Sequence, residues 1–309
     1  MDPINIIAQG KVKRFFRARR KLIHPHIVSH ITQRAAGKEP SFLENDDYLH
    51  ILGLLKEISA KHALTVLSFC LMPNHVHLLL RTGEKNLDQA MRDLFSRYAT
   101  WFNRKYERKG HLFGGPYRQA VCLDDAYLLA VSIYIHLNPV RAKLEENPLQ
   151  YRWSSARLYC KQDAPAAFVK PDFILSLLSE NSAESKKRYV EMLNKGVELE
   201  IEHVLEQEDA IEKFHSGLVK LFPKLFSRAN KKKPVNAVSG IELFSIEELE
   251  RQTEAIRNAG PSRRPETVKA KIFLMEQMIA RGYKRSEIAQ KLEMSPKTVF
   301  NILKSKQKE

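Results

Sequence analysis

The stretch that decides the fold is Leu64-Thr-Val-Leu-Ser-Phe-Cys-Leu-Met-Pro-Asn-His-Val-His-Leu-Leu-Leu-Arg81. Its first half is rich in apolar and β-branched residues, and Met72-Pro73-Asn74 has the composition of a tight turn. Its second half opens with two histidines separated by a valine and continues with leucines. The pattern predicts two strands, Leu64–Leu71 and His75–Arg81, in one antiparallel sheet.

Outward from these strands, the spacing of apolar residues predicts five further elements. They are a strand over His26–Thr32, a helix over about Tyr48–Lys61, a long helix over about Leu87–Tyr106, a strand over Tyr117–Leu123, and a helix capped by Asp124-Asp125 that ends at Asn138-Pro139. The order is strand, helix, strand, strand, helix, strand, helix. This order predicts an α+β fold with a ferredoxin-like antiparallel sheet and helices on one face.

The pattern becomes mostly helical after Cys160. Near the end, Ser286–Leu292, a turn at Glu293–Ser295 and Pro296–Leu303 have the spacing of a helix-turn-helix. We therefore expect four parts: a basic arm over residues 1–21, the α+β domain over 22–160, a helical connecting region over 161–260 and a helix-turn-helix unit over 261–309.

Charge narrows the class of partner. The 309 residues include 51 Lys and Arg against 36 Asp and Glu, a formal net charge of +15, which favours a polyanion such as nucleic acid. The three cysteines form no CxxC pair, which argues against a cysteine zinc site and favours reduced thiols. The sequence shows neither an export signal nor an apolar stretch of membrane-spanning length, so we expect a cytoplasmic protein.

His75-Val76-His77 is the sharpest local motif. Residues two apart on a strand share a face, so both imidazoles point the same way on the sheet surface, where they suit a divalent metal. The alternative is a pair of surface histidines without a ligand. Leu79 stands where a histidine-triad hydrolase has its third histidine, and the HExxH motif of zinc peptidases is absent.

The last helix of the α+β region supplies a possible nucleophile. Tyr134 and Asn138 are one turn apart and share a helical face. A phenol is a weak nucleophile at neutral pH, but a metal on the target phosphate offsets this weakness. The amide oxygen of Asn138 beside two imidazoles favours Mg²⁺ or Mn²⁺. The alternatives are a core aromatic residue and a polar residue at a helix end.

Several basic residues are candidates for DNA contacts. The predicted set comprises Arg14 and Arg17 in the arm, Arg97, Arg104 and Lys105 on the long helix, Arg118 on the following strand, and Lys297 and Asn301 in the second helix of the helix-turn-helix. Tyr98, Trp101 and Phe102 alternate with basic residues on the long helix, as in surfaces that stack single-stranded bases. The alternative is that these aromatics pack on the sheet, and that the helix-turn-helix docks a protein instead.

Four motifs together resemble the single-tyrosine HUH transposases, and most closely the branch associated with repetitive extragenic palindromes (REP). They are Leu71–Leu79, His111-Leu112-Phe113, Tyr134–Ala142 and Trp153-Ser154-Ser155, spread over residues 22–160. The resemblance implies that His75 and His77 bind the metal, that Tyr134 attacks the DNA and that Asn138 completes the metal site. The segment Gly114–Arg118 departs from the family pattern and makes Tyr117 an alternative nucleophile.

The resemblance also implies a reaction and partners. The tyrosine cuts single-stranded DNA and leaves a 5′-phosphotyrosine and a free 3′-OH, and a second 3′-OH rejoins the strands. Relatives usually act as homodimers on imperfect DNA hairpins. Separately from the resemblance, which tells little about residues 161–309, the helix-turn-helix pattern predicts a contact to duplex DNA. The alternatives are a non-catalytic DNA-binding regulator, a replication initiator or relaxase, for which no helicase or larger relaxase region is evident, and an RNA-binding protein.

Overall fold

The computed structural model describes residues 26–37, 39–83, 87–122, 125–161, 167–199, 210–226, 246–258, 260, 265–280, 283 and 285–305. These residues form two compact units, one between residues 26 and 226 and the other between residues 246 and 305. The predicted basic arm, with Arg14 and Arg17, lies outside the described residues.

The first unit is built on a four-stranded sheet. Its elements are β1 (Val28–Arg34), α1 (Asn45–Lys61), β2 (Thr65–Met72), β3 (His75–Arg81), α2 (Leu87–Lys105), β4 (Arg118–Cys122), α3 (Asp125–Arg141), α4 (Ala156–Cys160), α5 (Asp172–Leu175), α6 (Ser182–Val197) and α7 (Ala210–Leu221). The strands pair antiparallel in the order β2-β3-β1-β4. This is the strand order of a ferredoxin-like sheet, so the predicted fold class is confirmed.

Each face of the sheet contacts a different set of helices, because side chains alternate along a strand. Ile31, Val76 and Leu78 point to one face and pack with α1 and α2, as the sequence analysis predicts. Cys70 and Leu79 point to the other face, which packs against α3, so the expectation that the helices lie on one face is wrong for α3. Both faces of the sheet are therefore buried.

Helix α3 is enclosed on nearly all sides. All but the last two of its 17 residues are buried, since its sequence is apolar around the whole circumference. Helices α6 and α7 cover the side that faces away from the sheet. Tyr189 and Phe214 contribute to the same core as α3, so residues up to 226 complete the first unit, where the sequence analysis expects a connecting region.

A buried polar network attaches α3 to its neighbours. His136 Nδ1 lies 2.8 Å from Tyr189 Oη on α6, and His136 Nε2 lies 2.8 Å from Ser155 Oγ. Ser155 Oγ in turn accepts a hydrogen bond from the backbone N–H of Phe69 on β2 at 2.9 Å. Both ring nitrogens of His136 are thus occupied, and these directional bonds set the rotation of α3 over the sheet.

Helix α3 runs past the proline at which the sequence analysis ends it. Pro139 lacks the N–H that Ile135 would otherwise receive. The side chain of Asn138 compensates, because its Nδ2 donates to the carbonyl oxygens of Tyr134 at 3.0 Å and of Ile135 at 3.4 Å. The helix therefore continues to Arg141 and carries that side chain on the same face as Tyr134.

The second unit is helical. It contains α8 (Ile246–Asn258), α9 (Pro265–Ala280), α10 (Arg285–Lys291) and α11 (Pro296–Ser305) around a small apolar core. Residues 292–295 join α10 to α11, and Ser295 Oγ caps α11 by accepting from Thr298 N at 3.0 Å. The two helices lie where the sequence analysis predicts them, and their DNA-binding role stays a prediction. Across both units, no described helix has the length and apolarity needed to span a bilayer.

Both tryptophans of the chain pack against α1. Trp101 stacks on His50 with ring centroids 4.0 Å apart. Trp153 stacks on Tyr48 at 4.3 Å and with nearly parallel rings. These contacts hold α2 and the segment before α4 against α1.

The close approach of α6 to α3 yields a stability prediction. A Cβ at Gly196 would lie 2.8 Å from Leu137 Cδ1, so the larger side chain of Gly196→Val forces the helices apart. We expect this substitution to lower the free energy of unfolding by about 1–3 kcal/mol in urea denaturation followed by circular dichroism.

The matched control is Gly53→Val, at an exposed position of α1 with no neighbouring atom within 4 Å of a built Cβ. We expect it to change the free energy of unfolding by less than about 0.5 kcal/mol. Equal stability of both variants would show that α6 does not pack this tightly on α3.

Candidate active site

The predicted metal-binding histidines and the predicted nucleophile meet between the sheet and α3. His75 and His77 share a face of β3, and their ring centroids are 4.9 Å apart. The ring of Tyr134 faces them from α3, with its centroid 6.2 Å from that of His77. The structure therefore brings together three residues that are distant in sequence.

The site is more buried than the sequence analysis expects. The two histidines were placed on a sheet surface, and this is wrong for His77, which is only 4% exposed. Tyr134 is 2% exposed, whereas His75 at the start of β3 is half-buried. The reason is that α3 is apolar all round and seals the face of the sheet that carries the histidines.

His30 is a member of the site that the sequence analysis missed. It lies on β1, which pairs with β3 so that Thr32 stands opposite His77. His30 Nε2 is 2.9 Å from His77 Nδ1, and the two rings stack at 5.1 Å. The contact occupies one nitrogen of His77 and orients the ring, which is the role of an outer-shell partner in metal sites. Its only signal in the sequence was its place on a strand.

Burial keeps the two inner histidines neutral. Desolvation lowers the pKa of His30 to about 3. Desolvation also lowers the pKa of His77 well below its usual value, and the neighbouring His75 adds to the effect. Both rings are therefore uncharged at pH 7, and a neutral imidazole has an unprotonated nitrogen that can bind a metal.

Asn138, one helical turn after Tyr134, has a buried side-chain oxygen that could bind a cation. Its Nδ2 is engaged with the backbone of α3, whereas its Oδ1 is buried and accepts no hydrogen bond from any described residue. A buried carbonyl oxygen without a partner is unfavourable, and a metal ion would satisfy it. No group of three His, Cys, Asp or Glu in the described ranges is arranged to hold a metal, so an ion here would depend on the amide. Two imidazoles and an amide oxygen are donors that Mn²⁺ or Mg²⁺ accepts.

Arg141 closes the site on the side away from the sheet, and the sequence analysis gave it no role. Its guanidinium carbon lies 5.3 Å from the centroid of the Tyr134 ring. It lies 4.4 Å from that of Phe214 on α7. Burial lowers the pKa of Arg141 to about 10, so the side chain stays charged at neutral pH. Tyr134 is thus enclosed by histidines, Phe214 and a guanidinium.

Tyr117, the alternative nucleophile, lies on the opposite face of the sheet. It belongs to the core formed with α1 and α2, and its hydroxyl donates to Asp88 Oδ1 at 3.0 Å. It lines a cavity of about 970 Å³ between α2 and residues 110–117. Burial, reinforced by the Asp88 carboxylate, raises the pKa of Tyr117 and makes its phenolate harder to form. The structure separates Tyr117 from His77.

The basic residues predicted on α2 are largely engaged with carboxylates. Arg97 makes two hydrogen bonds to Glu57, at 2.7 and 2.9 Å. Lys105 Nζ is 2.7 Å from Asp47 Oδ1. Arg104 is exposed. Partnered cations of this kind attract DNA less than free ones do.

The remaining predicted DNA contacts are on the surface. Arg118 is exposed on β4, opposite Thr32 in the strand register. Lys297 and Asn301 are exposed on α11 of the second unit. On α2, by contrast, Tyr98 and Phe102 are fully buried, so two of the three aromatics proposed for base stacking belong to the core.

Comparison with known proteins relates part of the chain to a protein family. Residues 20–138 match the family model described as IS200-like transposase, a span that includes β1 to β4, the histidine pair, Tyr134 and Asn138. Among solved structures, the chain is similar to a REP-associated tyrosine transposase bound to a REP hairpin. The identity is 12% and the TM-score is 0.41, over 50% of this chain and 94% of that chain. A search of curated proteins gave no significant match. Over residues 20–138 this chain is therefore similar to the IS200-like transposases.

Proposed function

We propose that the chain cuts single-stranded DNA and rejoins it through a covalent bond between Tyr134 and a 5′ phosphate. The transposase family implies an enzyme that cleaves and transfers DNA. The observation that carries the proposal is the position of the Tyr134 ring, 6.2 Å from His77 and one helical turn before Asn138.

The proposed reaction exchanges one phosphodiester bond for another. The hydroxyl oxygen of Tyr134 bonds to phosphorus, the bond from phosphorus to the 3′ oxygen breaks, and the phenolic proton is lost while the 3′ oxygen gains one. The products are a 5′-phosphotyrosine and a strand with a free 3′-OH. Attack by a 3′-OH on the phosphotyrosine reverses these events and releases Tyr134, so no external energy source is needed.

The residues that would hold a metal are His75, His77 and Asn138. The rings of the histidines lie side by side, the pKa of His77 is held low by burial, and Asn138 Oδ1 has no partner among the described residues. Mg²⁺ or Mn²⁺ bound there supplies Lewis-acid polarisation of the target phosphate. His30 fixes the orientation of His77, and α3 with α7 excludes water around Tyr134.

The proposed substrate is a DNA hairpin with single-stranded flanks, and the proposed assembly is a homodimer. The solved transposase to which the chain is similar is bound to a REP hairpin. The net charge of +15 suits a polyanionic substrate. A duplex contact through α11 is a further part of the proposal, since Lys297 and Asn301 are exposed there.

A non-catalytic DNA-binding regulator is the second candidate. The observation in its favour is the burial of Tyr134, which is 2% exposed beneath Phe214. Such a protein would bind hairpin DNA and form no covalent adduct, so one assay separates the two functions.

The first prediction of this proposal concerns the covalent intermediate. Purified protein, incubated with hairpin oligonucleotides and Mn²⁺ or Mg²⁺, forms a protein–DNA adduct that survives a denaturing gel. Because the tyrosine joins the 5′ phosphate of the downstream fragment, the adduct carries a label placed at the 3′ end and not one at the 5′ end. Tyr134→Phe forms no adduct.

The matched control is Tyr117→Phe, which removes the other candidate hydroxyl from the opposite face of the sheet. We expect it to form the adduct as the wild type does. An adduct that persists in Tyr134→Phe and disappears in Tyr117→Phe would move the nucleophile to Tyr117. Binding without any adduct over a broad hairpin panel would favour the regulator.

The second prediction concerns the metal. Mn²⁺ at a hundred times its dissociation constant stabilises a protein that binds it by about 2.7 kcal/mol, so it raises the melting temperature of the wild type. We expect Asn138→Ala and His77→Ala to lose this shift. Asn103→Ala, a change on α2 away from the histidines, keeps it. A wild type that Mn²⁺ does not stabilise, and whose adduct survives chelator, would exclude the metal site.

The third prediction concerns the second unit. Lys297→Ala weakens the binding free energy for duplex DNA by about 1 kcal/mol, because a phosphate contact is lost. The loss of that contact also reduces the salt dependence of binding. The substitution leaves the rate of adduct formation on single-stranded hairpins unchanged. Fluorescence anisotropy at two salt concentrations measures the first effect. Unaltered duplex affinity in both Lys297→Ala and Asn301→Ala would remove α11 from the DNA interface.

A further inference from the structure

The guanidinium end of Arg141 is buried and has no hydrogen-bond acceptor among the described residues, although the residue as a whole is half-buried. Both terminal nitrogens of its guanidinium are inaccessible to solvent, and neither makes a hydrogen bond to any described residue. The rings of Tyr134 and Phe214 lie against it and present their π faces. Folded proteins ordinarily pair such a group with a carboxylate, since an uncompensated buried charge is strongly unfavourable.

The place of this cation is specific. Tyr134, Asn138 and Arg141 fall on successive turns of one face of α3, and Tyr134 on that face meets the ring of His77. The guanidinium carbon is 5.3 Å from the centroid of the ring that carries the proposed nucleophilic oxygen. An anion that reached Tyr134 would therefore meet the unpaired donors of Arg141.

We propose that Arg141 is a catalytic residue that binds the phosphate attacked by Tyr134. This inference rests on the proposed function of Tyr134 and adds the group that recognises the substrate. The guanidinium presents planar donors that match two non-bridging phosphate oxygens, and the bound phosphate supplies the acceptors that the folded chain lacks. The positive charge also stabilises the negative charge that builds on those oxygens as the new bond forms.

If Arg141 binds the phosphate, removal of its guanidinium lowers activity without lowering stability. Arg141→Met keeps an unbranched side chain and replaces the unpaired charge with an apolar end. We expect its melting temperature to equal or exceed that of the wild type, and its rate of adduct formation to fall at least about 100-fold. Arg141→Lys, which keeps the charge and loses the planar donors, recovers part of the rate.

Arg152→Met is the matched control. Arg152 also lies over an aromatic ring, that of Trp153 at 4.8 Å, but it is exposed. We expect wild-type adduct formation from this variant. A purely structural role for Arg141 predicts the reverse pattern: Arg141→Met would melt at a lower temperature, and its activity would fall only in proportion to the unfolded fraction.

A binding measurement that requires no catalysis tests the role of Arg141 separately from the proposed function. Inorganic phosphate, added without metal at matched ionic strength, raises the melting temperature of the wild type and not that of Arg141→Met. If the wild type forms no adduct, the proposed function fails, and the phosphate shift alone decides the role of Arg141. Equal phosphate shifts in both proteins, or adduct formation by Arg141→Met within threefold of the wild-type rate, would overturn the inference.

Discussion

The burial of α3 between the sheet and α6 and α7 is the constraint on which the rest of the first unit depends. A helix that is apolar on every side must be covered on every side, and the sheet lies against one side of it. The remaining cover comes from α6 and α7, far along the chain. The same packing presses Tyr134 against His77 and removes water from both. The low pKa of His77 is thus a consequence of how an apolar helix is sealed.

The site combines this apolar setting with polar groups that the chain leaves unsatisfied. Asn138 Oδ1 and the guanidinium of Arg141 lack hydrogen-bond partners among the described residues, whereas His136, on the other side of the same helix, uses both ring nitrogens. Buried polar groups are normally paired, so the contrast within one helix is informative. The satisfied side attaches α3 to its neighbours, and the unsatisfied side carries Tyr134, whose ring meets that of His77. Such an arrangement gives up some stability where a ligand is to bind.

How far the sequence predicts this structure depends on the range of the interactions involved. The bounds of β3, His75–Arg81, and the element order follow from local patterns and are confirmed. The sequence pattern also places Tyr134 and Asn138 on one helix face. His30 was missed because strand register is long-range: nothing near residue 30 shows that it lies beside His77. The exposed position expected for His77 was wrong for a related reason, since it required knowing which face α3 covers. The pairing of Lys105 with Asp47 likewise joins elements that local patterns treat separately.

The placement of the two tryptophans has a spectroscopic consequence. Trp101 and Trp153 are the only tryptophans in the chain, and both stack against side chains of α1 in the first unit. Selective excitation of indole therefore reports on the first unit alone, while the helical second unit contributes to circular dichroism without emitting. Because the flat stack of His50 on Trp101 depends on α1 staying in place, the emission also senses the layer of helices opposite the candidate active site. The unfolding of the two units can thus be distinguished in the intact protein.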